Sequence, residues 1–430
     1  MFKTVRGMRD LLPKDAQMMR HVEQVSRKVS KLYGYDEIIT PVLETYELLA
    51  AKTSEEIRAR MYTFKDLGKR QVAMRPEFTA SVARLVSTKM RNEPKPMRFF
   101  SVGSLYRYDE PQFGRYREFW QSNFELFGSD RPEADAEILI LTNDLLSRLG
   151  LKNYRFKIGH TGILRGILTQ EGLDDNQQNN LRQLMDKKNW TEALDYARGI
   201  NVSMQCLQVL EQLFETRGED AFSVLEQVKT VAKDYPAALD AVENLWQILK
   251  LVTESGSTLE VVVEAGFARG LEYYTGMIFE AFIPEIDVAL GGGGRYDKLI
   301  ELFGGQPIPA VGVAQGIDRI VLSLNTQKVV VDGSKLNSAV VISVKDESMA
   351  KALELADTLR KAGVFVEVAV MGRSMGKALA DADRRGVSYA VIVGPKELAQ
   401  QKVVVKDMEK GEQKTVEIQN LTQEVLGRSK

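Results

Sequence analysis

The sequence predicts an α+β fold: a mainly antiparallel sheet flanked by helices and carrying a helical insertion, followed by a small α/β domain. Three observations predict it. Up to Leu324, strand-like runs recur without strict strand–helix–strand alternation. From about residue 166 to 256 the chain turns rich in Gln, Asn, Leu and Glu, with apolar residues at helical spacing such as Leu181, Leu184 and Met185, then Ala193, Tyr196 and Ala197. Beyond 326–337, strands alternate with helices.

Each element has a local reason. Asp15 to Tyr33 reads as a helix because Met19, Val22, Val25, Val29 and Leu32 share one face, with Pro13 before it and Gly34 after it. Tyr35 to Leu43 reads as a strand, and Pro41, which donates no ladder bond, puts it at an edge or an interface. Val72 to Met74 and Phe99 to Tyr106 are expected strands on either side of a helix over Thr79 to Met90. Arg107 to Arg117 is an expected polar hairpin tip, and Glu118 to Phe127 its return strand. Val261 to Ala265, Met277 to Phe282 and Val288 to Leu290 add strands, with a glycine-rich turn at Gly291 to Gly294. Pro309 to Asn325 runs from strand into helix. The expected domains are 1–325 with its insertion, a linker over 326–337, and 338–430.

Composition narrows the chemistry. The chain has 430 residues, 27% of them charged, and a net charge of -1, so net charge gives no sign of a nucleic-acid partner. A single cysteine, Cys206, rules out an intrachain disulfide framework and a multi-cysteine zinc site. Two histidines, His21 and His160, are too few for a His-rich metal centre and poor material for a Ser-His-Asp triad; both are expected to be structural. Catalytic work then falls to Arg, Glu, Gln and Tyr. No apolar run approaches the ~20 residues needed to span a bilayer, and Met1 to Asp10 has no signal-peptide core. A cytoplasmic chain is the expectation.

Five segments carry polar chemistry. In Arg75-Pro76-Glu77-Phe78-Thr79, Glu77 sits where a strand gives way to a helix; taken alone it suits the helix dipole first, and a substrate ammonium second. Arg107, Arg115 and Arg117 flank a turn, and planar guanidinium forks match phosphate oxygens. Ala268-Arg269-Gly270-Leu271-Glu272-Tyr273-Tyr274-Thr275-Gly276 mixes charge and aromatic rings in a way that suits a polar, planar ligand rather than a core. Gly291 to Gly294 fit neither a Walker loop nor a dinucleotide fingerprint, and are expected to let backbone approach a ligand. Arg319, at the start of a helix, offers a planar cation for stacking on a base.

These segments, in this order, resemble the histidyl-tRNA synthetases, a family of class II aminoacyl-tRNA synthetases. Tyr35 to Glu44 is similar to the dimer-forming first class motif, Phe100 to Phe127 to the second, Ala310 to Arg319 to the third, and Arg269 to Gly276 to a signature special to the histidine enzymes. The resemblance implies a class II catalytic domain, an anticodon-binding domain from Ala339 on, and a homodimer. It implies activation of L-histidine by ATP to histidyl-adenylate and transfer to tRNA(His). Glu77 and Thr79 would hold the α-amino group, with Gln121 nearby. Glu125 and Tyr274 would bond the imidazole, and Tyr273 would line its pocket. Arg107 and Arg269 would face the α-phosphate and the histidine carboxylate, Arg115 the outer phosphates, and Arg319 the adenine. Gln112 and Arg117 would meet the tRNA acceptor end, and Mg²⁺ would bridge the outer phosphates. The alternative is a non-catalytic, histidine-sensing regulatory subunit of the same fold; such subunits usually lack the anticodon domain and the catalytic arginines.

Overall fold

The computed structural model describes residues 2–51, 55–110, 114–269, 273–286, 288–329 and 338–426. The chain divides into two compact units, Met1–Val329 and Val330–Lys430. The strands of the first are β1 (Asp36–Glu37), β2 (Leu43–Thr45), β3 (Thr63–Lys65), β4 (Gln71–Met74), β5 (Met97–Tyr106) and β6 (Glu118–Phe127). They continue with β7 (Arg155–His160), β8 (Arg217–Gly218), β9 (Val261–Glu264), β10 (Met277–Ile283), β11 (Val288–Arg295) and β12 (Ala310–Gly316). Nine of them form one sheet in the order β1-β5-β6-β12-β11-β10-β7-β9-β8. Among the described residues of this sheet, only β1 with β5 and β7 with β9 pair in parallel. The antiparallel expectation therefore holds.

Side-chain alternation gives the sheet two different faces. On one, Phe124, Leu126, Val311, Val313, Phe156 and Phe279 join a core shared with the helices Pro13–Leu32, Pro132–Arg148, Pro236–Glu254 and Ile317–Thr326. The first of these helices buries Val22 and Val29 completely, each worth about 1.5–3 kcal/mol of burial. Leu32 is exposed, against expectation; the buried stripe runs instead through Ser26 and Ser30, whose hydroxyls bond backbone carbonyls. On the other face Phe78, Val82, Phe99, Leu105, Phe127 and Tyr296 cluster under the helix Thr79–Thr88. That helix covers the face only in part, and a cavity remains beside it.

Two expected elements come out differently. The strand expected over 35–43 splits. Asp36–Glu37 pairs with β5, Leu43–Thr45 joins β4 in a separate three-stranded sheet, and the residues between cross over. Pro41 cannot donate there, and Arg75 claims the Thr40 carbonyl at 2.8 Å. The glycine-rich turn is instead the middle of β11, paired with β10 on one side and β12 on the other. Arg295 ends this strand in a buried ion pair with Asp135 and donates to the Ser129 carbonyl at 2.8 Å. Burial raises the Asp135 carboxyl to about 6 even against that arginine.

The insertion supplies the helices Asp175–Asp186, Trp190–Gly199, Met204–Glu215 and Ala221–Val231. Leu181, Leu210, Leu225 and Leu245 make it continuous with the main core, and β8 adds an edge strand beside β9. The second unit holds β13 (Ser338–Ser343), β14 (Phe365–Val368), β15 (Tyr389–Val393), β16 (Lys402–Asp407) and β17 (Gln413–Glu417), in the order β14-β13-β15-β16-β17. Its first three strands pair in parallel and the last two close as an antiparallel hairpin. Val341 and Val391 pack on Leu355 and Leu359 on one face, and Val340 and Ile342 on Ala378 and Ala382 on the other. No described helix is long and apolar enough to cross a membrane.

Candidate active site

A cavity of about 740 Å³ opens on the less covered face of the large sheet. It is lined by Glu77, Thr79, Arg107, Arg115, Gln121, Glu125, Arg269, Tyr273, Tyr274 and Arg319, so residues from distant parts of the sequence meet around one space. Among the described residues, one expected near the site, Arg117, is not brought in; Gln112 lies outside the described residues, as do Gly270 to Glu272. Arg117 is buried outside the cavity. Its Nε donates to the Asp109 carbonyl at 3.1 Å and its guanidinium covers the Tyr108 ring, which makes it a brace for the loop rather than a free cation.

One end of the cavity is acidic and aromatic. Glu77 precedes the helix Thr79–Thr88, and its two oxygens accept from the backbone N–H groups of Thr79 and Ala80 at 2.6 and 2.8 Å. It thus caps the helix and lines the cavity at once. Thr79 Oγ1 donates to Glu125 Oε1 at 2.7 Å, and the Tyr296 hydroxyl donates to the other Glu125 oxygen. Gly312 lies opposite Glu125 across the β6–β12 pair, and any side chain there would overlap the carboxylate. Burial, first of all, pushes the Glu125 carboxyl up to about 8; the hydrogen bonds from Tyr296 and Thr79 pull the other way. Burial likewise raises Glu77. Tyr273 stacks edge-on against Tyr296, with centroids 5.6 Å apart, and lies 5.0 Å from the Tyr274 ring. Gln121 also lines the cavity, and its buried Oε1 finds no hydrogen-bond donor among the described residues.

The other end is cationic. Arg107, just past β5, donates through Nε to the Pro76 carbonyl at 2.9 Å and lies over the Phe119 ring. Arg269 donates to the Phe279 carbonyl at 2.9 Å and pairs with Glu280 at 3.6 Å. Its guanidinium crosses β11 at Gly292, where any side chain would collide with it. Arg319, in the first turn of Ile317–Thr326, donates to the Ala289 carbonyl at 3.1 Å. Burial lowers the Arg319 pKa, and Arg115, Arg107 and Arg269 push it the same way, while Glu280 opposes them. Four guanidinium groups that repel one another in one partly buried space make a site for a polyanion.

Sequence reasoning missed several lining residues. Tyr296 stood in the Gly-Gly-Arg-Tyr-Asp run without a role, although it holds Glu125. Glu280 was a lone charge in an apolar strand, a signal that could have found it. Gln183, Asp186 and Lys187 bring the insertion to the cavity, and no local pattern marks them. His160 is structural, as expected. Its Nδ1 accepts from the Gly162 N–H at 3.0 Å at the start of the next helix, and burial drives its pKa down to about 4.

Residues 7–320 match the family model described as histidyl-tRNA synthetase, and 338–428 match that of an anticodon binding domain. The chain is 42% identical to a histidine–tRNA ligase of Methanocaldococcus jannaschii, covering 98% of this chain and 99% of that one. It is 39% identical to a histidine–tRNA ligase of Methanococcus maripaludis, again over 98% of this chain and 99% of the other. A solved structure from Bacillus halodurans, described as an ATP phosphoribosyltransferase regulatory subunit/histidyl-tRNA synthetase, superposes with a TM-score of 0.78 at 26% identity, covering 92% of this chain and 98% of that one. With the family model spanning most of the chain and ligase relatives matching it end to end, this chain belongs to the histidyl-tRNA synthetase family.

Proposed function

We propose that this chain is a histidine–tRNA ligase that activates L-histidine with ATP to histidyl-adenylate and transfers the histidyl group to tRNA(His). The observation that carries the reading is the meeting of Arg107, Arg115, Arg269 and Arg319 beside the Glu125–Tyr296–Thr79 cluster in one cavity. The histidine carboxylate attacks the α-phosphorus and pyrophosphate leaves; the terminal ribose hydroxyl of the tRNA then attacks the acyl carbon and gives up its proton, and AMP leaves as the acyl–phosphate bond breaks. In the first step no proton need move. Arg107 and Arg269 neutralise the charge that builds at phosphorus and hold the carboxylate in line, so positioning and electrostatics supply the rate. Arg115 takes the outer phosphates and Arg319 covers the adenine. Glu77, Thr79 and Gln121 receive the ammonium. Glu125 and Tyr274 pair with the imidazole nitrogens beside Tyr273, and a wrong side chain would leave those buried groups unpaired.

Among the described residues no three His, Cys, Asp or Glu side chains gather to hold a metal ion. Mg²⁺, which the family resemblance implies, would be held largely by the ATP phosphates and water, with Glu280 one of several carboxylates in the cavity wall. The exposed Ile39, Val42, Leu43, Phe64 and Leu67 around the small sheet support a homodimer through the first class motif, which sedimentation at low concentration tests. Its proposed action on tRNA favours a cytoplasmic location. The regulatory-subunit alternative is not favoured: the ligase relatives match the full length, and the anticodon-binding domain and the catalytic arginines are all kept. The test is exchange of pyrophosphate into ATP with each of the twenty amino acids, followed by charging of tRNA. Protein that binds ATP and histidine without exchange would refute the proposal.

A further inference from the structure

The segment that precedes the first helix is laid along the two stretches that carry Arg115 and Arg319. The Gly7 carbonyl accepts from the Arg117 N–H at 2.9 Å, and Arg6 meets Glu110 at 3.1 Å in solvent. Arg9 reaches deeper. Its guanidinium forms an ion pair with Asp318 Oδ1 and lies over the Tyr116 ring, 3.4 Å from the centroid. The second Asp318 oxygen accepts from the Trp120 N–H at 2.6 Å. Asp318 is 7% exposed and the Arg9 side chain 26% exposed, so both charges are shielded enough for the pair to hold geometry. Tyr116 follows Arg115 and Asp318 precedes Arg319. Both Tyr116 and Asp318 line the cavity, and Arg9 does not.

One side chain from outside the cavity thus clamps the immediate neighbours of two arginines that lie far apart in sequence. A flat guanidinium can stack on a ring and bond a carboxylate in its own plane at the same time, which an ammonium cannot. We propose that Arg9 is a positioning residue for nucleotide binding, tying Asp318 to Tyr116 and thereby fixing the spacing of the Arg115 and Arg319 guanidinium groups. The inference rests on reading those two arginines as the ATP ligands.

The test uses the full chain with R9A, R9K and Y116A, and R6A for comparison. ATP and histidine KM values are read in pyrophosphate exchange, and ATP Kd by calorimetry. R9A is expected to raise the ATP KM and Kd about tenfold, since small misplacements of binding groups are costly, while the histidine KM stays within about twofold and R6A resembles wild type. R9K, which keeps the charge and loses the flat stack, should recover only part of the loss. Y116A, which removes the other end of the clamp, should also weaken ATP more than histidine. A folded R9A with unchanged ATP affinity overturns the proposal, as does one that weakens both substrates equally. Should R9A fail to fold, unchanged ATP affinity in R9K and Y116A overturns it instead. Wild-type protein that exchanges normally while R9A is silent sinks only the clamp. Wild-type protein without exchange, but with an ATP Kd that responds to R9A, sinks the synthetase reading and leaves the clamp standing.

Discussion

Replacing Glu125 by glutamine should make the protein less sensitive to alkali. Burial lifts the Glu125 carboxyl from 4.5 to about 8. Between those two values the folded protein holds a proton that the unfolded chain has lost. Stability therefore falls as pH rises, by about 1.4 kcal/mol per pH unit for this one group. His160 works in the opposite sense, since its lowered pKa costs stability as pH falls from 6.5 towards about 4. Above pH 6.5 that contribution is complete, and Asp135, at about 6, is largely ionised. Denaturant unfolding at pH 6.5 and 8.5 thus isolates Glu125. Wild type should lose about 2 kcal/mol more over that interval than E125Q, because about one and a half pH units of the window lie below the Glu125 value. Glutamine keeps the shape and can still accept from Tyr296, and the Thr79 hydroxyl can turn to accept from its amide. Equal losses in the two proteins would refute the reasoning. They would mean that Glu125 is ionised in the folded state throughout, stabilised beyond what its two hydroxyl partners supply.

Other perturbations have similarly local outcomes. Y296F removes one donor to Glu125 and should raise the histidine KM by up to about tenfold while leaving the ATP KM near wild type, the loss of one hydrogen bond to a neutral carboxyl; exchange kinetics with each substrate varied in turn would show it. G292A puts a methyl where the Arg269 guanidinium lies, so exchange should fall about a hundredfold or more with little change in circular dichroism. R295A leaves Asp135 buried without its partner and should cost about 3–5 kcal/mol in denaturant unfolding, far more than removal of an exposed pair such as Arg148 with Asp144.

Much of the fold was legible because it rests on local periodicity. Glu118 to Phe127 is a strand over the expected residues, and most other elements differ from expectation by a residue or two at their ends. The exceptions have tertiary causes. Gly291 to Gly294 look like a turn to any local rule, yet they are a strand because Arg269 and Glu125 need the room that side chains there and at Gly312 would fill. The residues from Ile38 to Val42 look like one strand, but Arg75 and Pro41 divert them between two sheets. For the site, arginines and acids in recognisable runs could be assigned through the family resemblance. Tyr296, Glu280 and Arg9 could not, since their roles are defined by partners far away in sequence: Glu125, Arg269, and Tyr116 with Asp318. Arg117 shows the converse. It sits in a basic run that looks like a ligand, and the fold uses it to cover Tyr108.

The claim that everything else serves is that Arg107 and Arg269 act on the same developing charge. A double-mutant cycle on histidine-dependent pyrophosphate exchange tests it most directly, comparing wild type, R107A, R269A and the double variant. Each single change should slow exchange by about a hundredfold to a thousandfold, and the double variant should lose far less than the product of the two, because groups that work as a unit are not additive. Losses that multiply would show the two arginines acting independently and would contradict the account.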